Sequence, residues 1–246
     1  GSPLFERKGK KLMALTALGQ RVMDEVATIN QAKLNIQAIA SDFLDCNKGT
    51  IHIATTHTQA KYFLPHPIQR FRAKYPGIRI YIVQASPEQL VDQLHAHKAD
   101  IAICTEKVNE DAELITRHCY EWHHAAVMPK GHPLCEGELT CERLTAFPIL
   151  TYSLGFTGRS AIERAFQQSG HQLDIILAAA DTDVIKTYVH LNLGVGIIAR
   201  MAYDSEADHG LVVRDLSHII PKSITKIAYL KQNYLPLYSQ HFIEEL

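Results

Sequence analysis

Apolar residues recur every seven positions near the start of the chain, and this spacing predicts one long helix. The first row of such residues is Leu15, Val22, Ile29, Ile36 and Phe43. A second row is interrupted once, and its members are Leu18, Glu25, Ala32 and Ile39. About four heptads are typical of two helices paired along a seam. A helix lying on its own domain is the alternative, but little else precedes residues 47–49 for the helix to pack against.

Strand and helix patterns alternate between residues 50 and 104. Apolar periodicity predicts strands at 50–54, 78–83 and 101–104, with helices at 56–75 and 86–97. The second helix opens on Ser86, Pro87 and Gln89, which combine a capping serine, a first-turn proline and a capping-box glutamine. Strands alternating with helices in this way predict a parallel sheet with right-handed crossovers.

A second α/β unit is predicted between residues 125 and 221. Its expected strands lie at 125–128, 148–152, 174–177 and 196–199, and its expected helices at 160–168 and 183–193. We expect a last strand at 224–230 and a last helix at 236–246 to return to the first unit. Two α/β lobes joined by two crossing strands would form a hinged cleft.

Composition and charge narrow the class of protein. Hydrophobic residues make up 46% and charged residues 21% of the chain, as in ordinary globular proteins. No apolar run is long enough for a membrane span, and the first residues do not follow the pattern of a secretory signal. The formal net charge of −1 does not favour broad contact with DNA phosphates, so any such contact needs a local basic patch or another segment.

The cysteines indicate a reducing compartment. None of the five has C-x-x-C spacing, and they are Cys46, Cys104, Cys119, Cys135 and Cys141. We therefore expect reduced thiols and a cytoplasmic protein. Cys104 lies in an apolar run and is expected to be a small buried residue rather than a catalytic one.

The first candidate site is the run of threonines at residues 55–59, where a predicted strand meets a predicted helix. The first N–H groups of a helix lack internal partners and favour negative charge. The hydroxyls of Thr56 and Thr58 and the amide of Gln59 add uncharged donors. Such a turn can hold an oxyanion without a formal positive charge. A capping box formed by Thr56 and Gln59 is the alternative.

A second candidate turn, residues 155–160, also lies between a strand and a helix. Its members Gly155, Phe156, Thr157 and Gly158 include two glycines, which let a ligand approach the backbone. Two such turns facing each other across a cleft could hold one anion from both sides.

Two further residues are candidates for the same cleft. Thr105 follows a buried strand, and ligands of open parallel sheets bind beyond the carboxyl ends of strands. A threonine bonded to backbone is the alternative. Trp122, the single tryptophan, lies near the predicted crossover and could line the cleft, although core packing is the alternative.

Enzymatic motifs are absent from the sequence. There is no G-x-S-x-G, Walker loop or G-x-G-x-x-G, and no set of residues has zinc spacing. An enzyme with His57 as a general base remains an alternative, against which stands the lack of a carboxylate near His57 in sequence. A periplasmic solute-binding protein is a third alternative, disfavoured by the free cysteines and the heptads. We expect no catalytic residue, metal or cofactor.

Three stretches resemble the LysR-type transcription regulators, in particular their CysB/Cbl subgroup. They are residues 54–60, residues 151–152 with 155–160, and residues 183–189. Residues 4–19 are similar to the end of the family's winged helix-turn-helix and the start of its linker helix. The resemblance covers nearly the whole chain.

The resemblance implies an α/β fold of the periplasmic-binding-protein type 2. Two Rossmann-like subdomains with a hinged cleft would follow a long linker helix. The implied parts are a winged-helix remnant at 1–15, a linker and dimerisation helix at 16–46, regulatory subdomain I at 47–124 plus 223–246, and subdomain II at 125–222.

The resemblance also implies a regulator of sulfur assimilation and cysteine biosynthesis. Its implied effectors are O-acetylserine or N-acetylserine, with sulfate or thiosulfate as further ligands. The family's anion-contacting residues match Thr56, Thr58, Gln59, Thr105 and Thr157, with a tryptophan at Trp122. Implied partners are promoter DNA, bound through an N-terminal domain outside these 246 residues, RNA polymerase, and further copies of the chain in a homodimer or homotetramer.

Overall fold

The computed structural model describes residues 1–45, 47–105, 107–156 and 158–246. Its strands are β1 Phe5–Lys8, β2 Lys11–Leu15, β3 Gly49–Thr55, β4 Ile78–Gln84, β5 Ile101–Cys104, β6 Leu114–Trp122, β7 His124–Pro129, β8 Ile149–Tyr152, β9 Ile175–Ala179, β10 Val195–Ala199, β11 Leu211–Asp215 and β12 Ser223–Leu230. Its α helices are α1 Ala17–Asp45, α2 Pro65–Lys74, α3 Pro87–His95, α4 Cys141–Thr145, α5 Arg159–Gln168, α6 Thr182–His190 and α7 Leu237–Glu244. Cys46 and Thr157 lie outside the described residues.

A hairpin precedes the long helix. Strands β1 and β2 pair antiparallel, and Gly9 in their turn has φ of +66°, a left-handed conformation that suits glycine. Thr16 Oγ1 accepts a hydrogen bond of 2.9 Å from the N–H of Gly19 and so caps α1. Among the described residues, no helix combines the length and apolar character needed to cross a membrane.

Helix α1 contacts the rest of the chain through polar side chains and leaves its heptad row exposed. The amide of Asn35 donates to the carbonyl of Gln232 and accepts from the N–H of Tyr234, both at 2.9 Å. Ile36 and Phe43 of the apolar row are 67% and 89% exposed. The helix therefore does lie against its own chain, through polar contacts. Pairing of the apolar row with a second helix stays a prediction.

The first sheet, with its helices, forms what we call lobe I. Its strand order is β4-β3-β5-β12-β6, with β3 parallel to β4 and β5, and β12 antiparallel to both neighbours. Ile51 and Ile53 pack on the face covered by α2 and α7, where Phe71 meets Phe242 edge to face at 5.2 Å. Helix α3 covers the other face through Leu90 and Leu94.

The second sheet forms lobe II in the same way. Its order is β11-β7-β10-β8-β9, with β8 parallel to β9 and β10, and β7 antiparallel to β10 and β11. Its core joins Leu150 and Ile197 of the sheet to Ile162 of α5 and Ile185 of α6.

Two short connections join the lobes. His123 alone separates β6 from β7, and residues 216–222 separate β11 from β12. The last strand and helix return to lobe I, as the sequence predicted. The carboxyl ends of parallel strands from both sheets therefore border the cleft, where α/β proteins bind ligands.

Helical backbone occupies most of the range predicted as a helix, residues 56–75, but it is not one regular α helix. A π turn occupies Gln59–Phe63, and the N–H of Leu64 bonds to the carbonyl of Gln59, five residues back, at 3.0 Å. Pro65 follows and has no N–H to donate, so α2 begins there as a separate helix. The hydrophobic pattern also did not predict β6 and β11. Strand β6 lies at a sheet edge and is largely polar, which weakens the apolar alternation of its sequence.

Burial affects the chemistry of two cysteines. Cys104 is buried in β5, and burial raises the pKa of Cys119 to about 12, which keeps this thiol protonated. Among the described residues, four cysteines are free of disulfides.

Candidate functional site

The carboxyl end of β3 delivers buried threonines to the cleft. Thr55 Oγ1 donates to the carbonyl of Ile103 at 2.8 Å and ties β3 to β5. Thr56, Thr58 and Gln59 are all buried. The hydroxyl of Thr56 has no hydrogen-bond partner among the residues that the structure describes. The capping box considered from the sequence is therefore not formed, and this hydroxyl can serve a ligand.

Thr225 on β12 connects three of the predicted site residues. Its Oγ1 accepts from Trp122 Nε1 at 3.1 Å and from Gln59 Nε2 at 3.3 Å. Thr105 Oγ1 lies 3.2 Å from the same oxygen. Thr105 thus bonds to a side chain rather than to backbone, and Trp122 joins a polar cluster although it is buried.

Gln59 is held at its other end by Tyr120. The hydroxyl of Tyr120 donates to Gln59 Oε1, and the ring of Tyr120 stacks on Phe63 with centroids 4.1 Å apart. Burial raises the pKa of Tyr120, so this hydroxyl stays a neutral donor. The amide of Gln59 is therefore oriented with its NH₂ group toward Thr225.

The second predicted turn lies against Trp122 from lobe II. Gly158 has φ of +74°, and a Cβ at this position would lie 2.5 Å from His124 Nε2 and 3.3 Å from Trp122 Cη2. Glycine is thus required for both conformation and space. Gly155 has φ of +80° and open space around it.

The remaining residues of this turn border a gap between the lobes. Phe156 is partly buried and packs against the core of lobe II. A cavity of about 350 Å³ is lined by Ser86, Glu88, Leu154, Gly155 and Phe156. Thr157 lies outside the described residues, so its contact with a ligand stays a prediction.

A chain of hydroxyls crosses from lobe I to lobe II. Thr58 Oγ1 lies 3.3 Å from Thr182 Oγ1 at the start of α6. Tyr152 Oη lies 2.9 Å from Thr182 Oγ1 and accepts a 2.9 Å hydrogen bond from the N–H of Ala199. Tyr152 and Thr182 are fully buried.

Thr225, Tyr120 and Thr182 were not among the predicted site residues, and Tyr152 was predicted only as part of a strand and of a stretch that resembles the family. Gln59 and Thr225 are 166 residues apart, and Thr58 and Thr182 are 124 apart. No local motif marks such contacts, because only the order of strands in the sheets and the approach of the lobes create them.

Polar and charged side chains of both lobes meet beside the threonines. His57 Nε2 lies 3.2 Å from Asp181 Oδ1 and 3.4 Å from Asp183 Oδ2. Lys61 Nζ and the hydroxyl of Tyr62 each lie 2.5 Å from a carboxylate oxygen of Asp183. The fold thus supplies His57 with carboxylates that its sequence neighbourhood lacks.

Asp183 is ionised by its surroundings. Burial, the largest single influence, raises its pKa, but hydrogen bonds from Lys61 and Tyr62 and the charge of Lys186 outweigh burial and lower the pKa to about 2. Asp181 caps α6 by accepting from the N–H of Asp183 at 2.7 Å.

The same cluster contains three side chains of the kinds that bind metal ions. Within the described part of the chain, His57, Asp181 and Asp183 are the one group of three possible ligands, with ligand atoms within 4.8 Å of one another. Lys61 already contacts the nearest oxygen of Asp183, so the group is better suited to ion pairs between the lobes than to a metal.

The sequence of the chain matches a known protein family over most of its length. The family described as LysR substrate binding domain matches residues 46–246, which is most of the chain. The chain belongs to the LysR family of transcriptional regulators. The two-lobed α/β fold with an N-terminal helix is the fold of this family, as the sequence predicted.

Individual LysR-type relatives resemble the chain over nearly its whole length. It is 41% identical to the regulator SsuR of Burkholderia cenocepacia over 245 residues, which are 99% of this chain and 80% of SsuR. It is 38% identical to CysB of the same organism over 247 residues, covering 100% of this chain and 79% of CysB. The crystal structure of the cofactor-binding domain of the Cbl regulator has 36% identity and a TM-score of 0.78, and covers 80% of this chain and 87% of that domain.

These relatives confirm two expectations from the sequence. They are named transcriptional regulators, so the chain is part of a regulator and not an enzyme. The resemblance to the CysB/Cbl subgroup is also confirmed.

Proposed function

We propose that this LysR-type effector domain senses a small sulfur-related anion in its cleft and regulates sulfur assimilation and cysteine biosynthesis. The candidate effectors are sulfate, thiosulfate, O-acetylserine and N-acetylserine. The buried hydroxyl of Thr56, which has no partner among the described residues, carries the proposal. Similarity to SsuR, CysB and Cbl supports the link to sulfur metabolism.

Uncharged donors favour a small, desolvated anion over a bulky phosphate ester. Thr56, Thr58, Gln59 and Thr105 would bind it from lobe I, where free N–H groups at the helix start add a favourable dipole. Trp122 would line the site. The turn formed by Gly155, Phe156 and Thr157 would close from lobe II.

Closure of the cleft is the proposed signal. A ligand that binds the closed arrangement more tightly than the open one shifts the population toward closure. The ion pair of Lys61 with Asp183 and the contact of His57 with the same carboxylate each join one lobe to the other, so they stabilise the closed arrangement. The shift would alter the spacing of DNA-binding heads in an oligomer.

The proposed organisation follows the family. Residues 1–15 would end a winged helix-turn-helix, residues 16–46 would pair as a linker helix, and residues 47–124 plus 223–246 and 125–222 would form the two regulatory subdomains. A cytoplasmic homodimer or homotetramer would bind promoter DNA through N-terminal domains and act on RNA polymerase.

Calorimetry with the four candidate effectors tests this function. Thr56→Val removes the hydroxyl at nearly constant shape and should cost about 1–3 kcal/mol, roughly a five- to 150-fold loss of affinity. Thr56→Ser keeps the hydroxyl and is the matched control, with affinity close to wild type. Unchanged affinity in Thr56→Val would remove Thr56 from the site, and no binding of any of the four ligands by the wild type would contradict the function.

A further inference from the structure

A buried arginine lies at the base of the turn between β8 and α5. Arg159 is 7% exposed, and its Nη1 donates to the carbonyl of Tyr152, the last residue of β8, at 2.5 Å. Its Nε and Nη2 donate to Glu163 Oε1 at 3.0 and 2.7 Å. The directions of these bonds are fixed, because a guanidinium only donates and carbonyl and carboxylate oxygens only accept. One side chain thus fastens the end of β8 to α5.

The segment between these two elements, residues 153–158, is what we call the lobe II turn. Phe156 of this turn borders the gap between the lobes, and Gly158 lies against Trp122. Among the described residues, those that line the gap do not include Arg159. Arg159 therefore acts on a ligand in the cleft through the turn rather than by contact.

We infer that Arg159 is a positioning residue, which holds the lobe II turn in the place from which it closes over the effector. This inference rests on the proposed function, because the turn is the part of lobe II that would contact the same ligand. A loop that must be ordered on binding weakens the affinity, whereas a loop already held in its bound position does not. If the turn took up that position for about one-tenth of the time, the apparent affinity would be about tenfold weaker.

Two plainer roles of Arg159 make different predictions. An arginine and a glutamate four residues apart stabilise a helix, and a positive charge near the cleft attracts any anion. Neither role needs the bond to Tyr152, which belongs to another element. Arg159→Lys keeps the charge but lacks the planar fork that reaches both acceptors, so it separates positioning from attraction by charge.

Loss of the guanidinium should leave the chain folded. The side chain of Glu163 is 35% exposed and would be solvated without its partner. A cavity of about 270 Å³ is lined by both Arg159 and Glu163, which gives water a route to the acceptors. Urea denaturation of each variant checks that the fold is retained.

Calorimetry on the whole chain with sulfate, thiosulfate, O-acetylserine and N-acetylserine is the first test. We expect Arg159→Met and Arg159→Lys to bind the ligand that the wild type prefers at least about tenfold more weakly. Arg164→Met is the matched control, because it removes the same charge from the exposed side of the same helix and should keep the wild-type affinity. Wild-type affinity in Arg159→Lys would assign the effect to charge and would overturn the inference.

Trp122 supplies a readout that a merely structural role would not move. It is the single tryptophan, is 4% exposed and lies against Gly158 of the turn. A loose turn exposes the indole, so acrylamide should quench its fluorescence at least about twofold more in ligand-saturated Arg159→Met than in the wild type or Arg164→Met. Weaker binding with unchanged quenching would indicate a defect elsewhere in the protein and would overturn the inference.

The outcomes separate this inference from the proposed function. Wild-type affinity in Arg159→Met would overturn the positioning role while the proposed function stands. Failure of all four ligands to bind the wild type would overturn both. Arg159→Lys serves for both measurements if Arg159→Met does not fold.

Discussion

At the scale of single residues, Lys186 holds a buried ion pair close to the lobe contact. The side chains of Lys186 and Asp208 are 7% and 8% exposed, and Nζ lies 2.9 Å from Asp208 Oδ1. The same ammonium donates to the carbonyl of Ala202 at 2.9 Å and to Tyr62 Oη at 3.1 Å. Together with Asp208, these acceptors satisfy all three N–H groups of the ammonium. Removing the charge of Lys186 would therefore leave Asp208 as a buried charge without a partner of opposite sign.

Lys186→Met tests this pair, because methionine keeps much of the side-chain length and loses the charge. We expect the free energy of unfolding to fall by about 3–5 kcal/mol, measured by urea denaturation. Lys222→Met is the matched control: Lys222 pairs with Glu121 at 3.1 Å, but the two side chains are 65% and 48% exposed. Its loss should stay below about 1 kcal/mol, and equal losses in the two variants would show that burial does not decide the effect.

At the scale of elements, the start of α6 brings side chains of lobe II into contact with lobe I. Thr182 meets Thr58, and Asp183 meets Lys61 and His57. A carboxylate in the first turn of a helix is also favoured by the helix dipole. Helix α6 thus combines a hydroxyl contact at the candidate site with a charged contact beside it.

The lowered pKa of Asp183 predicts a pH dependence for this contact. Its pKa falls from 3.8 to about 2 on folding, so the ionised carboxylate stabilises the folded chain. That stabilisation is complete above about pH 4 and is lost as the pH falls through about 2. In urea titrations over this range, the free energy of unfolding should fall less steeply for Asp183→Asn than for the wild type. Glu136→Gln, an exposed change in lobe II, should follow the wild-type slope; identical slopes for all three proteins would contradict the assignment.

Elements whose signal lies within one segment could be predicted from the sequence. Strand β5 is apolar throughout and is buried on both faces. The capping box of α3 forms as expected, with bonds of 3.3 and 3.1 Å between Ser86 and Gln89. The π turn at Gln59–Phe63 could not be predicted, because it shifts one hydrogen bond ahead of Pro65 and leaves the apolar spacing almost unchanged.

At the scale of the whole molecule, the candidate site exists because β12 returns to lobe I. It enters between β5 and β6 and places Thr225 beside both Thr105 and Trp122. The threonines at strand ends could be chosen from the sequence, since βα turns attract anions in any α/β fold. Thr225 could not, because its position depends on a strand order that no local pattern specifies.

The apolar row of the long helix α1 is exposed to solvent in the single chain. Ile29 and Ile36 are each 67% exposed, while the polar contacts of Asn35 and Asp42 with Tyr234 fix the helix against lobe I. An exposed apolar row at heptad spacing is typical of a helix that pairs with a second helix in a coiled coil. A second copy of the helix has the matching spacing.

Ile36→Glu therefore tests pairing of the chain through α1. A buried glutamate at the centre of the seam would face its own copy, so we expect the dimer dissociation constant from sedimentation equilibrium to rise at least about tenfold. Ser41→Glu places the same charge on the opposite, exposed side of the helix and should leave the constant unchanged. If Ile36→Glu dimerised as well as Ser41→Glu, the heptad row would have no role in assembly, and the polar contacts with lobe I would be the main function of the helix surface. Because Ile36 lies far from the threonine cluster in sequence and on a different element, sulfate affinity per chain should be the same in both variants, which separates assembly from anion binding.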